Sequence, residues 1–554
     1  MRKILLAVLL LTCNICFAQQ LKYTVGYNDW DADSLGNQRV VLSIPGWNGS
    51  AVFVMARFDW RRSDQHPEKK QIILIDASTN QRILNVTASI TRDSCFLMFQ
   101  PTLSGRYYLY YMPYKVDRKS NYPNVKYLKP EQTASAEWLK LIPFSSTIIF
   151  AHADSIQSIN AFNSPYPMEV IAKASEVKAL GSKYASKKYL VFPEDRMHPV
   201  KMKYDLPQRW IISGVKNTFN GEADKGENFT YQLGVYPVKQ NLDNVKIAFS
   251  DLKNADGNVI SSKMMSCLNT NGVDYKGLPF TKEVNVPKGH IQAMWCLVNI
   301  PKTVVAGVFY GTATLSANGV AATEIKVTLK VVNKTSNKGG IDEPEKQTRL
   351  TWLNSTMAQH NDVIKPYTPL KVEGQTISLL GRKVILDNTG FPKNIETFFT
   401  PEMTEMTTQP KQVINQPISF MLEKSDGSKA MWKPTGVKFT EKTPGTVKWA
   451  AQNTLSSLQM DVTGSMEFDG FISYTVKVTA LRDMSFNDLR LHIPFNQKSA
   501  KYMMGLNLKG EKRPATYEWK WDVANKNQDG AWIGDVNAGL QYSLRDEHYM
   551  RPLN

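Results

Sequence analysis

Residues 471–480 read FISYTVKVTA. Ile472, Tyr474, Val476 and Val478 alternate with Ser473, Thr475, Lys477 and Thr479. A period of two is that of a strand with one buried face. Leu489 to Phe495 follows as a second strand. Upstream, Thr376 to Leu380 and Lys383 to Leu386 flank Gly381 as a strand pair. Long strands across about 200 residues predict a large sandwich of two broad sheets in the C-terminal region.

The rest of the chain reads the same way. Arg39 to Pro45, a turn at Asn48-Gly49 and Ala51 to Phe58 predict a hairpin. Arg106 to Met112 is a Tyr-rich strand. One helix is predicted, from Met168 to Leu180, with Pro167 at its start and Gly181 just past its end. Tyr231 to Tyr236, Val245 to Phe249, Ala293 to Ile300, Phe309 to Leu315 and Ile325 to Val331 are short strands separated by turn signals such as Asp256-Gly257 and Asn318-Gly319. That spacing is the signature of an immunoglobulin-like sandwich.

The expected fold is therefore mainly β, a multi-domain set of β-sandwiches of jelly-roll or immunoglobulin-like type with one or two short helices. The expected boundaries are a signal peptide at 1–18, a β-rich domain with its helix at 19–200, a sandwich at 201–335, a polar linker at 336–346 and a C-terminal β domain at 347–554.

Arg2 and Lys3 precede an apolar run from Ile4 to Leu11, and Cys16-Phe17-Ala18 ends in a small residue before Gln19. This predicts cleavage and export to the periplasm or medium. Thr12 before Cys13 fits a lipoprotein signal poorly, so no lipid anchor is expected. No later segment is apolar enough to span a bilayer. The formal charge of +17 is spread over pairs such as Lys69-Lys70 and Lys187-Lys188. No nucleic-acid reading motif accompanies it, so nucleic acid is not an expected partner. Cys95, Cys267 and Cys296 remain after processing. Cys267 and Cys296 are either a disulfide or two buried thiols, and the sequence leaves both open.

No phosphate loop, G-x-S-x-G elbow or H-E-x-x-H helix is present, and no two of the seven histidines stand at metal-ligand spacing. No metal or cofactor is expected. Glu467 and Asp469, at i and i+2, share one strand face, and Asp546-Glu547 are adjacent near the C-terminus. Paired carboxylates serve glycoside hydrolysis, but no segment alternates strands and helices over the roughly 250 residues of a (β/α)8 barrel. No catalytic residue is assigned. Aromatic rings remain, since sugars stack C–H faces on them. Asp59-Trp60-Arg61-Arg62 joins a ring to planar donors, Trp47 lies across the predicted hairpin turn, and Trp519, Trp521 and Trp532 gather near the end. Trp47, Trp60, Arg61 and Trp532 are the candidate carbohydrate contacts.

Residues 349–399 hold Trp352, Asn354, Ser355, Pro366 and Pro369 ahead of the strand pair around Gly381 and Gly390. With Phe58-Asp-Trp-Arg-Arg62, Tyr189-Leu-Val-Phe-Pro-Glu-Asp-Arg196, Gln292-Ala-Met-Trp-Cys296, Met466-Glu-Phe-Asp-Gly470 and Asp529 to Asn537, this block resembles the N-terminal, non-catalytic β-rich region of secreted glycoside hydrolase family 123-like proteins. The resemblance implies a mutarotase-like supersandwich at the C-terminal end and a glycan or polysaccharide partner. It also implies a catalytic barrel that this chain does not contain, so the C-terminal domain is expected to be incomplete. In that family an adjacent Asp-Glu pair is thought to act on N-acetylhexosaminides. That pair lies on the barrel, so the role does not transfer to Asp546-Glu547. The resemblance leaves two functions: a secreted accessory protein that is not catalytic by itself, or the N-terminal part of a split hydrolase whose barrel is encoded separately.

Overall fold

The computed structural model describes residues 21–49, 51–117, 124–144, 148–274, 277–520 and 530–544. The predicted signal peptide and Asp546-Glu547 lie outside them. The chain forms two compact units, Met1–Ser355 and Thr356–Asn554. The fold is mainly β.

The first unit opens with an eight-stranded sheet. Its order is Ile72–Asp76, Arg106–Tyr111, Gln38–Ser43, Ile149–Ser158, Val54–Asp59, Ser94–Phe99 and Val86–Ile90, with Lys22–Val25 also on Ile149–Ser158. The predicted hairpin does not form. Gln38–Ser43 and Val54–Asp59 pair with opposite halves of Ile149–Ser158, the first antiparallel and the second parallel. A register shift between Ala153 and Ser155 divides that strand. The physical reason is burial: Val40 and Leu42 share one closed core with Val54, Ala56, Phe58 and Leu97.

Among the described residues the longest helix runs Ala174–Lys183, later than predicted. Met168, Val170, Ile171 and Ala172 are instead buried outside the helix, and Ile171 bridges Pro207. Carboxylates set the start. Glu176 Oε2 accepts from the Lys173 N–H at 2.8 Å, and Asp93 Oδ2 accepts from the Ala174 N–H at 2.9 Å. Acceptors there satisfy orphan donors and oppose the helix dipole. Gly181 lies inside the helix. Ala32–Leu35, Ala136–Leu141 and Gln208–Ser213 are shorter helices.

A two-sheet sandwich follows. One sheet runs Tyr189–Glu194, Asn228–Pro237, Gln292–Asn299 and Met265–Cys267. The other centres on Thr218–Lys225, Thr323–Thr335 and Gly307–Ser316. Both supply one core, including Tyr231, Leu233, Met294, Phe309, Ile325 and Leu329. Tyr189–Glu194 thus joins this sandwich although it precedes the expected boundary at residue 201. The expected linker is packed rather than loose. The Asn228 N–H donates to Gly339 O at 3.0 Å, and Lys346 Nζ reaches Asp224 Oδ2 at 2.9 Å and Glu343 Oε2 at 2.7 Å. Segment 336–355 therefore belongs to the first unit.

The second unit has a five-stranded meander from Lys371–Glu373 to Met406–Gln412 and a four-stranded meander from Lys433–Lys442 to Ile472–Ala480. Their facing sides make two adjoining cores, one around Ile377, Leu386, Trp449 and Met466, the other around Phe391, Ile395, Met460 and Val462. Ile472, Tyr474, Val476 and Val478 pack on these cores, the face that their alternation predicts. A further sheet orders Leu508–Lys512, Tyr502–Gly505, Gly530–Asp535 and Ala538–Ser543.

Candidate carbohydrate-contact residues

Trp60 and Arg61 are enclosed. Trp60 is 2% exposed, and its Nε1 donates to Thr91 O at 2.8 Å. The Arg62 guanidinium lies 4.5 Å over the ring and is itself paired with Asp64 at 2.7 Å. Arg61 takes a left-handed backbone, φ 49°, which turns its side chain out of strand alternation. Its two terminal nitrogens each donate to Glu176, both at 2.7 Å. Asp59 holds Lys173 at 2.6 Å, and Arg92 grips Asp205 with bonds of 2.8 and 2.6 Å. Arg61 holds the Glu176 carboxyl below its usual range. Asp59 and Arg61 of this motif therefore fasten the eight-stranded sheet to the start of the helix Ala174–Lys183. The expectation of a sugar contact at Trp60 and Arg61 is corrected: the ring is buried and the guanidinium is committed.

Trp47 and Trp532 keep partial exposure. Trp47 Nε1 donates to Thr102 O at 2.8 Å, and the ring lies on Gly105. Trp532 sits on Gly530–Asp535, beside Ala538–Ser543. A Cβ added at Gly534 would fall 2.5 Å from its Cζ2, and one at Gly539 would fall 2.6 Å from its Nε1. Two glycines therefore let the indole lie down on the sheet. Met504 and Gln541, its partners across the neighbouring strands, are exposed. Among the described residues the indole N–H has no acceptor. A supported ring face with a free donor at its rim suits a sugar.

The end of this strand is held by ion pairs and hydrogen bonds. Asp535, 6% exposed, accepts from Lys411 Nζ at 2.5 Å and pairs with Lys501 at 2.8 Å. Lys411 and then Lys501 hold its carboxyl far below the carboxylate range. Asn537 Nδ2 donates to Phe399 O at 2.7 Å, and Thr397 Oγ1 donates to Asn537 O at 2.6 Å. Sequence reasoning missed this clamp because its partners are more than 120 positions apart. Trp519 stacks with Tyr517 at 6.4 Å, and Trp521 lies outside the described residues.

Glu467 lines a polar cleft of about 460 Å³ with Asp362, Lys448 and Ser465. Asp469 instead accepts from the Phe471 N–H at 2.9 Å, so the two carboxylates have separate roles. Folding also brings Glu194, Asp195 and His198 together. Glu194 is already committed to Arg209 Nε and Trp210 Nε1, both at 3.1 Å, so nothing there calls for a metal. Cys267 stands directly opposite Cys296, and both are buried free thiols.

Comparison with known families places two regions. Residues 28–159 match the N-terminal domain of glycoside hydrolase 123, and residues 370–554 match its third domain. The chain is glycoside hydrolase family 123-like. Trp47, Trp60 and Arg61 fall in the first matched region and Trp532 in the second. Among solved structures, a family 123 glycoside hydrolase from Clostridium perfringens, described for glycolipid glycan hydrolysis, is 18% identical with a TM-score of 0.22. The match covers 27% of this family 123-like chain and 28% of that enzyme's. A PapD-like domain of human CEP192 is 9% identical over 21% of this chain and 82% of that one, with a TM-score of 0.16. At these scores neither carries an argument about fold. No curated protein matches. No helix among the described residues is long and apolar enough to cross a membrane.

Proposed function

We propose that this chain is a secreted accessory region of a glycoside hydrolase family 123-like protein that contacts glycan and is not catalytic by itself. The observation that carries the reading is the pair of family matches, which fall on an N-terminal and a third domain. Support also comes from Trp532, a half-exposed ring laid on a clamped sheet, with Trp47 as a second partly exposed ring. The affinity of such a platform comes from ring stacking and a few hydrogen bonds, without any reacting group.

The test has two arms. Aryl N-acetylgalactosaminide and related glycosides are offered to the purified chain, and no turnover is expected. Turnover abolished by Asp546→Asn with Glu547→Gln would overturn the non-catalytic assignment. Affinity electrophoresis through polysaccharide gels is expected to retard the chain, and Trp532→Ala to lessen that retardation.

A further inference from the structure

A cleft of about 450 Å³ lies in the first unit, within the roughly 300–1,000 Å³ of small-molecule sites. One wall is the two-stranded ribbon Asn271–Val273 and Pro279–Thr281. The other is Asn354, the last residue of the 3-10 segment Thr348–Asn354. It falls between the two family-matched regions, so nothing in those matches assigns it.

The lining is amphipathic and uncharged. Val273, Pro279 and Phe280 supply apolar surface, and the Phe280 side is open, at 44% exposure. Ser266, Thr281 and Asn354 supply hydroxyl and amide groups. Among the described residues the side chains of these three form no hydrogen bond, so each keeps its donors and acceptors for a ligand. Gly272 makes the arrangement possible. A Cβ there would fall 2.0 Å from Asn354 Oδ1, so any other residue would push the amide away.

We propose that this cleft binds a neutral saccharide, with one pyranose face against Phe280 and hydroxyls on Asn354, Thr281 and Ser266. Absence of charge in the lining disfavours uronates, sulfated sugars and amines, because none would find a counter-ion when desolvated. A pyranose pairs one C–H face with a rim of hydroxyls, matching a wall of apolar groups beside a wall of amides. This deepens the carbohydrate reading above and rests on it, at a site separate from Trp532.

The test is calorimetric titration of the full chain with cellobiose, lactose and N,N′-diacetylchitobiose, beside a uronate-containing disaccharide. At least one neutral disaccharide is expected to bind. Asn354→Ala and Phe280→Ala should each weaken it about tenfold, the loss of one or two well-placed contacts. Gly272→Ala should weaken it through the displaced amide. Thr281→Val keeps the shape and removes only the hydroxyl, so it serves if a larger change unfolds the ribbon. Neutral binding indifferent to all four cleft variants, or tighter uronate binding, overturns the proposal. Polysaccharide retardation lost in Trp532→Ala with no disaccharide binding overturns the cleft and spares the broader reading. Silence in both assays removes both.

Discussion

Arg61 and Glu176 meet through two parallel bonds of 2.7 Å, joining the end of a strand to the first turn of a helix 115 residues later. The side chains are 10% and 24% exposed. Removing the guanidinium leaves a carboxylate that also caps Lys173 but has lost its counter-charge. Arg61→Ala should therefore destabilise the first unit by about 2 kcal/mol, the scale of hydrogen bonds to a charged group. Calorimetry should show one transition fall while that of the second unit stays in place.

Acid should erase that difference. The Glu176 carboxyl is depressed by Arg61 in the folded state. A depressed carboxyl contributes stability above its unfolded pKa, near 4.3, and loses it as pH falls through the folded value. Wild type and Arg61→Ala should thus differ in Tm at neutral pH and converge well below about pH 4. A constant gap across that range would locate the effect in packing rather than charge.

Asp535 holds the corresponding place in the second unit. Lys411 and Lys501 hold its carboxyl low, and it is 6% exposed. Asp535→Asn keeps the shape and removes the charge, leaving two ammonium groups without their anion. The second unit should lose about 1–3 kcal/mol, and retardation by polysaccharide should weaken because the Trp532 strand is no longer pinned. Unchanged stability would show that water replaces the carboxylate at no cost.

The thiols should be inert. Burial pushes the Cys95 thiol up to about 12 and raises Cys267 and Cys296 as well. The thiolate is the reactive form, so Cys95, Cys267 and Cys296 should resist a thiol reagent in the native state. All three should react after unfolding. Only Cys95 reacting would mean that Cys267 and Cys296 are bonded.

Alternation made the β class legible. Ile472 to Val478 alternates and buries the expected face. Pairing was less legible: the turn at Asn48-Gly49 suggests that its flanking strands are neighbours, yet Ile149–Ser158 separates them. Partner choice depends on a residue stretch about 100 positions away, which local spacing does not encode. The helix start was misplaced because Glu176 and Asp93 fix it, while Pro167 is only a generic marker. Segment 336–346 looked like a linker by composition, but Lys346 ties it to Asp224. At the candidate site, aromatic identity was legible and exposure was not. Trp60 and Trp532 look alike in sequence, and only packing on Phe58 and Tyr111, or on Gly534 and Gly539, separates them.

Affinity electrophoresis of the full chain and of Trp532→Ala, across polysaccharide gels and alongside a glycan array, tests glycan contact most directly. Retardation by at least one glycan is expected, reduced in Trp532→Ala at unchanged melting temperature. Free migration of the folded wild-type chain through every gel, with a silent array, would contradict it.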